Sequence, residues 1–113
     1  MHELSLVKSI VDIADEQTKA HGAREVEKIE LEIGALAGVE MDAFLFAWDA
    51  AIPNTVLEKS TRIIHQIPAK ARCIACGEEY HIDQLYEPCS FCGEYLNELI
   101  QGQELKVKSL TVS

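Results

Sequence analysis

All four cysteines of the chain, Cys73, Cys76, Cys89 and Cys92, fall into two C-x2-C pairs, Cys73-Ile74-Ala75-Cys76 and Cys89-Ser90-Phe91-Cys92, joined by the connector Gly77 to Pro88. This spacing is the strongest constraint on the fold. Each pair can present two sulfurs to one ion, and four thiolates suit the tetrahedral preference of Zn(II). The connector is shorter than in most such sites, yet long enough to run out and back as a hairpin. Gly77 and Gly93 each follow the second cysteine of a pair, where a residue free to take positive φ lets backbone N–H groups turn towards sulfur. The alternative, a pair of disulfides, requires an oxidising compartment.

With 113 residues the chain is one domain's worth, but the cysteine segment interrupts it, which favours a small main body carrying a metal-stabilised module. No secretory signal pattern opens the chain and no apolar run reaches membrane-spanning length, so the expectation is a cytoplasmic protein with reduced thiols. Lys and Arg number 10 against 19 Asp and Glu, a formal charge of -9. Four thiolates and one dication would lower it by two more. Nucleic acid and anionic membranes are therefore poor partners.

Apolar residues at Leu6, Val7, Ile10, Val11, Ile13 and Ala14 predict an amphipathic helix over Leu4–Ala20, ended by His21-Gly22. Alternation of Ile29, Leu31 and Ile33 with Lys28, Glu30 and Glu32 predicts a half-buried strand closed by Gly34. A small-residue connection, Ala35 to Val39, leads to a second helix marked by Phe44, Leu45, Trp48 and Ile52 and stopped at Pro53-Asn54. Glu40 and Asp42 fit its N-terminal positions, where carboxylates favour the helix dipole, and Glu40 is also a candidate outer metal ligand. Thr61 to Ile67 reads as a strand of uncertain inward phase, so His65 could face either way, and Lys70-Ala71-Arg72 reads as an extended arm at a hinge.

Within the cysteine segment Glu78, Glu79, Asp83, Glu87 and Glu94 interleave with Tyr80, Tyr86, Phe91 and Tyr95, and no Lys or Arg lies between Cys73 and Cys92. Such a module is fitted to a protein partner or to holding shape. His81 is a conceivable substitute ligand, but four cysteines already complete the set. Glu104 to Lys108 alternates, changes phase at Ser109-Leu110, and predicts a last strand returning to the main sheet. The expected class is α+β: a small antiparallel or mixed sheet packed with two helices, plus an inserted zinc-ribbon-like module built on the four cysteines. The expected division is residues 1–68 with 100–113 as one domain and 69–99 as the zinc-binding module.

Met1-His2-Glu3 runs into the first helix without a spacer. An amine, an imidazole and nearby peptide nitrogens can form the nitrogen-rich planar set preferred by Ni(II) or Cu(II), though a histidine at position 2 can equally be incidental. Together with Glu32-Ile33-Gly34, the cysteine quartet and Gln101-Gly102-Gln103-Glu104-Leu105, this start resembles the HypA/HybF family of nickel metallochaperones for [NiFe]-hydrogenase maturation. The resemblance spans the whole chain. It implies Ni(II) as transferred cargo, held by the Met1 amine, His2 and the peptide nitrogens of His2 and Glu3, with the Glu3 side chain tuning the site and Glu40 facing it. It further implies Cys73, Cys76, Cys89 and Cys92 as structural zinc ligands, a HypB GTPase partner and the hydrogenase large-subunit precursor as recipient. A homodimer is compatible with the same pattern. Such a protein transfers a metal and is not an enzyme. Two other classes compete: a zinc-ribbon adaptor with no nickel role, and a zinc hydrolase, against which four closed thiolates and the absence of a nearby general base argue.

Overall fold

The computed structural model describes residues 2–113, so Met1 and its proposed amine ligand lie outside the described residues. Helix α1 spans Glu3–Ala20 and buries Val7, Ile10, Ala14 and Thr18, one residue per turn. The Thr18 hydroxyl donates to the Ala14 carbonyl at 2.7 Å, which satisfies it inside the core. At the other end Gly22, with φ of 63°, donates to Lys19, and Ala23 donates to Thr18. These two bonds close the helix with a left-handed cap.

Strand β1 (Val26–Gly34) leads to helix α2 (Met41–Ala51), which buries Phe44, Ala47 and Trp48. Phe44 and Trp48 meet edge to face at 5.9 Å between ring centroids, and the Arg62 guanidinium lies 5.4 Å from the Trp48 ring. Complete burial of a side chain such as Phe44 is worth about 1.5–3 kcal/mol. After α2, Asn54 takes φ of 65° and turns the chain towards strand β2 (Thr61–Ile67). In the sheet of order β2-β1-β6, the third member is the last strand of the chain, Leu105–Val112. Bonds from Val26 to Val56 and from Ala35 to Ile67 make β2 parallel to β1. Those from Gly34 to Glu104 and from Ser113 to Glu25 make the last strand antiparallel to it. The sheet is therefore mixed. The phase change expected at Ser109-Leu110 is present as two consecutive half-buried residues within one unbroken strand.

Strands β3 (Lys70–Cys73), β4 (Glu79–His81) and β5 (Asn97–Gln101) form a second, antiparallel sheet of order β4-β3-β5. Lys70-Ala71-Arg72, expected from sequence to be a connecting arm, is instead the central strand. Its alternation is real but short: Ala71 and Cys73 are buried while Arg72 faces out, pairing with Glu79 at 3.0 Å and Glu98 at 3.2 Å on the flanking strands. Strand β5 has no counterpart among the sequence expectations, because one β-branched residue, Ile100, among Asn97, Glu98 and Gln101 is too weak a strand signal.

The chain divides into two compact units, Met1–Leu31 with Val39–Ile64 and Val107–Ser113, and Glu32–Gly38 with His65–Lys106. In the second, Ala69, Ala71, Cys73, Tyr80, Ile82 and Cys89 form a buried cluster against which Leu36 and Leu99 pack. Leu36 explains why the small-residue connection after β1 belongs to this unit. The approach is closest at Gly34: a Cβ there would lie 2.2 Å from the backbone of Gly102, and one on Gly102 would lie 2.7 Å from Ala69 Cβ. Only glycine fits either place.

Candidate metal centres

The two cysteine pairs are copies of one turn. Cys73 donates its N–H to Glu78 and its carbonyl accepts from Gly77; Cys89 donates to Glu94 and accepts from Gly93, with all four distances between 2.8 and 2.9 Å. Gly77 and Gly93 hold φ of 77° and 79°, the left-handed geometry that closes each turn. N–H groups also point at sulfur, from Cys76 to Cys73 Sγ at 3.5 Å and from Phe91 to Cys89 Sγ at 3.3 Å. These turns bring all four sulfurs within 4.8 Å of one another. Cys73 Sγ is 3.5 Å from Cys92 Sγ, and Cys76 Sγ is 3.7 Å from Cys89 Sγ. Those separations are far beyond a disulfide bond, and all four cysteines are free. A tetrahedron with zinc–sulfur bonds of about 2.3 Å has edges of about 3.8 Å, so the quartet fits that ion in size.

Electrostatics point the same way. Desolvation works against a thiolate at Cys89, but the N–H groups of Cys92 and Phe91 and the neighbouring sulfurs outweigh it and hold this thiol at about 7. At Cys92 the Glu94 N–H favours the thiolate, yet the Cys73 sulfur, desolvation and the other two sulfurs push it up to about 12. Cys89 thus favours the thiolate form while Cys76 and Cys92 resist it, a resistance that a bound dication would remove. Two cysteines are buried and two exposed, so the cluster closes on the core side. Its support includes a network that the sequence did not disclose: the Tyr80 hydroxyl donates to the Glu87 carbonyl at 2.9 Å, and Asn97 Nδ2 donates to both, holding the turn before Cys89. No spacing rule connects those three residues. His81 stands apart on β4, with Nδ1 3.8 Å from an Asp83 carboxylate oxygen.

At the start of the chain, His2 is the exposed N-cap residue of α1, and its side chain makes no capping hydrogen bond. The Glu3 side chain joins two elements. Its Oε2 accepts the Glu40 N–H at 3.1 Å, tying the first turn of α1 to the start of α2. That bond, followed by the one to its own N–H, holds the Glu3 carboxyl below the usual carboxylate range. The Glu40 carboxylate in turn caps α2, accepting from Asp42 N–H at 3.2 Å and Ala43 N–H at 2.6 Å. The geometry therefore brings Glu40 beside Glu3 while engaging its oxygens in the helix. Among the described residues, the cysteine quartet is the group of three or more His, Cys, Asp or Glu side chains gathered closely enough to hold a metal.

Among the described residues, two helices, a mixed and an antiparallel sheet and a four-cysteine cluster define a small α+β metal-binding protein. Residues 1–112 match the pattern described as "Hydrogenase/urease nickel incorporation, metallochaperone, hypA", and the chain belongs to the HypA family. A hydrogenase maturation factor HypA of Parabacteroides distasonis is 44% identical over 112 residues, covering 99% of this chain and 97% of the relative. Another, of Geotalea daltonii, is 43% identical, with 99% of each chain covered. In structure, the nickel metallochaperone HypA of Helicobacter pylori superposes with a TM-score of 0.68 at 24% identity, covering 99% of this chain and 97% of that one. A second HypA solution structure gives 0.72 at 23% identity, covering 100% and 97%. At these identities the structural likeness speaks for the fold. As for membranes, no helix among the described residues is long and apolar enough to cross one.

Proposed function

We propose that this chain is a non-catalytic nickel carrier that binds Ni(II) at its N-terminus, through the Met1 amine, the His2 imidazole and the peptide nitrogens of His2 and Glu3. It passes the ion to the hydrogenase large-subunit precursor, with the HypB GTPase as partner, in the cytoplasm. One observation carries the reading: His2 is exposed at the head of a rigid helix with its imidazole outside the helix cap. The first N–H groups of that helix have no backbone acceptor within it, and that of Glu3 meets only its own carboxylate, which leaves peptide nitrogens of His2 and Glu3 as candidate donors. Family membership over residues 1–112 supports the same cargo.

In this reading residues 1–68 and 100–113 serve nickel, and 69–99 hold zinc. Cys73, Cys76, Cys89 and Cys92 hold Zn(II), which offsets half of their charge and ties the two turns together. Glu3 and Glu40 orient the nickel end, Glu3 by fastening α1 to α2 and Glu40 by capping α2. Imidazole and amine donors compete with protons, so mild acid releases nickel before the thiolate cage opens. The test is isothermal titration of the untagged protein with nickel, alongside zinc analysis. His2→Ala, or one extra residue before Met1, weakens nickel binding strongly with zinc content unchanged. Unaltered nickel affinity in both variants would sink the proposal and favour a zinc-ribbon adaptor.

A further inference from the structure

The cysteine turns that close the metal cluster also push large apolar side chains outward. Ile74 follows Cys73, and Phe91 precedes Cys92, whose sulfur lies 3.5 Å from that of Cys73. The Ile74 N–H donates to the Leu96 carbonyl at 3.1 Å, which sets Tyr95 and Leu96 beside the first turn. All four of these residues are between 65 and 69% exposed. A concentration of large apolar groups at one end of a small unit marks a contact surface. Its surroundings are of one sign. Between Arg72 and Lys106 there is no Lys or Arg, and Arg72 is already engaged by Glu79 and Glu98. The stretch that carries the apolar residues also holds Glu78, Asp83, Glu87 and Glu94 and no Lys or Arg, so the module is strongly acidic, and zinc held by four thiolates would add further negative charge.

We propose that this face docks a partner segment carrying lysine or arginine next to large apolar side chains. Charge complementarity selects that occupant. A second copy of the chain would set one acidic module against another, and nucleic acid or an anionic membrane would meet the same repulsion. A basic segment relieves it, while its apolar side chains cover Ile74, Phe91, Tyr95 and Leu96. The inference is independent of the nickel reading, because it rests on residues of the cysteine segment and on none of the proposed nickel ligands.

The probe is a short synthetic peptide of alternating lysine and leucine, titrated into the zinc-loaded full-length protein and followed by amide chemical shifts. Lysine–serine and glutamate–leucine peptides of equal length are the controls. Saturable shifts are expected at Ile74, Phe91, Tyr95 and Leu96, with affinity about tenfold or more above both controls and falling with added salt. Phe91→Ser and Leu96→Ser each reduce it about tenfold at unchanged zinc content, a hot-spot effect. Phe46→Ser, which removes a 78% exposed phenylalanine from α2, leaves it unchanged. Equal binding of the lysine–serine peptide, or undiminished binding by the Phe91 and Leu96 variants, overturns the proposal. So does self-association abolished by Phe91→Ser, which would assign the face to a second copy. Binding to phosphatidylcholine vesicles lost in the same variants would overturn it too, by assigning the face to lipid.

Discussion

Replacing Glu40 by alanine separates the two tasks that its position offers, helix cap and metal ligand. The side chain accepts from Asp42 and Ala43 at 3.2 and 2.6 Å, so its removal strips two acceptors from the first turn of α2. That turn is exposed, so water replaces the lost oxygens and the cost is that of an ordinary N-cap, about 1 kcal/mol within a range of 0.5–2. Such a loss lowers the unfolding midpoint of a small domain by roughly 4–8 °C. The clamp between the helices survives, because Glu3 is held by the Glu40 backbone N–H, which alanine retains. Nickel affinity at His2 should therefore change less than about twofold, and Glu40→Asn, another good cap, should recover most of the lost stability. Thermal denaturation followed by circular dichroism and nickel titration of the three proteins give the two readings. A tenfold fall in nickel affinity in a fully stable Glu40→Asn variant would refute the capping account and make Glu40 a ligand. A stability loss above about 3 kcal/mol would show that more than a cap had been removed.

Three further outcomes follow from the structure. Gly34→Ala places a methyl 2.2 Å from the Gly102 backbone, where no side-chain rotation relieves it. It should cost at least about 1–3 kcal/mol, the range for overpacking, seen as a lower urea midpoint, whereas Gly22→Ala meets only the φ penalty, since nothing lies within 4 Å. Removing zinc with a chelator, or Cys73→Ser, should loosen the buried cluster around Ala71, Tyr80 and Ile82 first, with loss of amide protection there before α1; simultaneous loss in α1 would contradict this. Glu3 should titrate below 4.5 by carboxyl NMR. Because its pKa is depressed on folding, its contribution to stability is present above the ordinary carboxylate range and is lost as the pH falls through the lowered value; Glu3→Gln should flatten that acid limb.

Periodicity and local chemistry make much of this protein legible along the chain. The apolar stripe of α1, the alternation of Ile29, Leu31 and Ile33, the stop at Pro53-Asn54 and the spacing of the cysteines are local patterns, each dictated by helix, strand or turn geometry. Strand β5 is hard to see in the sequence because Ile100 is its one β-branched residue, too little for a pattern, and the strand is held by pairing with β3. Lys70-Ala71-Arg72 looks like an arm because three residues are too few to display a period, yet Ala71 and Cys73 make it the centre of the second sheet. At the N-terminus the sequence singles out His2, Glu3 and Glu40 as separate candidates, and nothing in their spacing links Glu3 to Glu40.

By itself, then, the sequence determined the cysteine quartet, the helices, the principal strands and the resemblance to a nickel-carrier family, because turns, amphipathic periods and motifs are read along the chain. Tertiary structure alone decided that Glu3 fastens α1 to the start of α2 and that Leu36 plugs the cluster beside the cysteines. It also decided that Ile74, Phe91, Tyr95 and Leu96 stand exposed beside the cysteine turns. Those contacts join residues far apart in sequence, and only the closing of the backbone brings them within hydrogen-bond or van der Waals range.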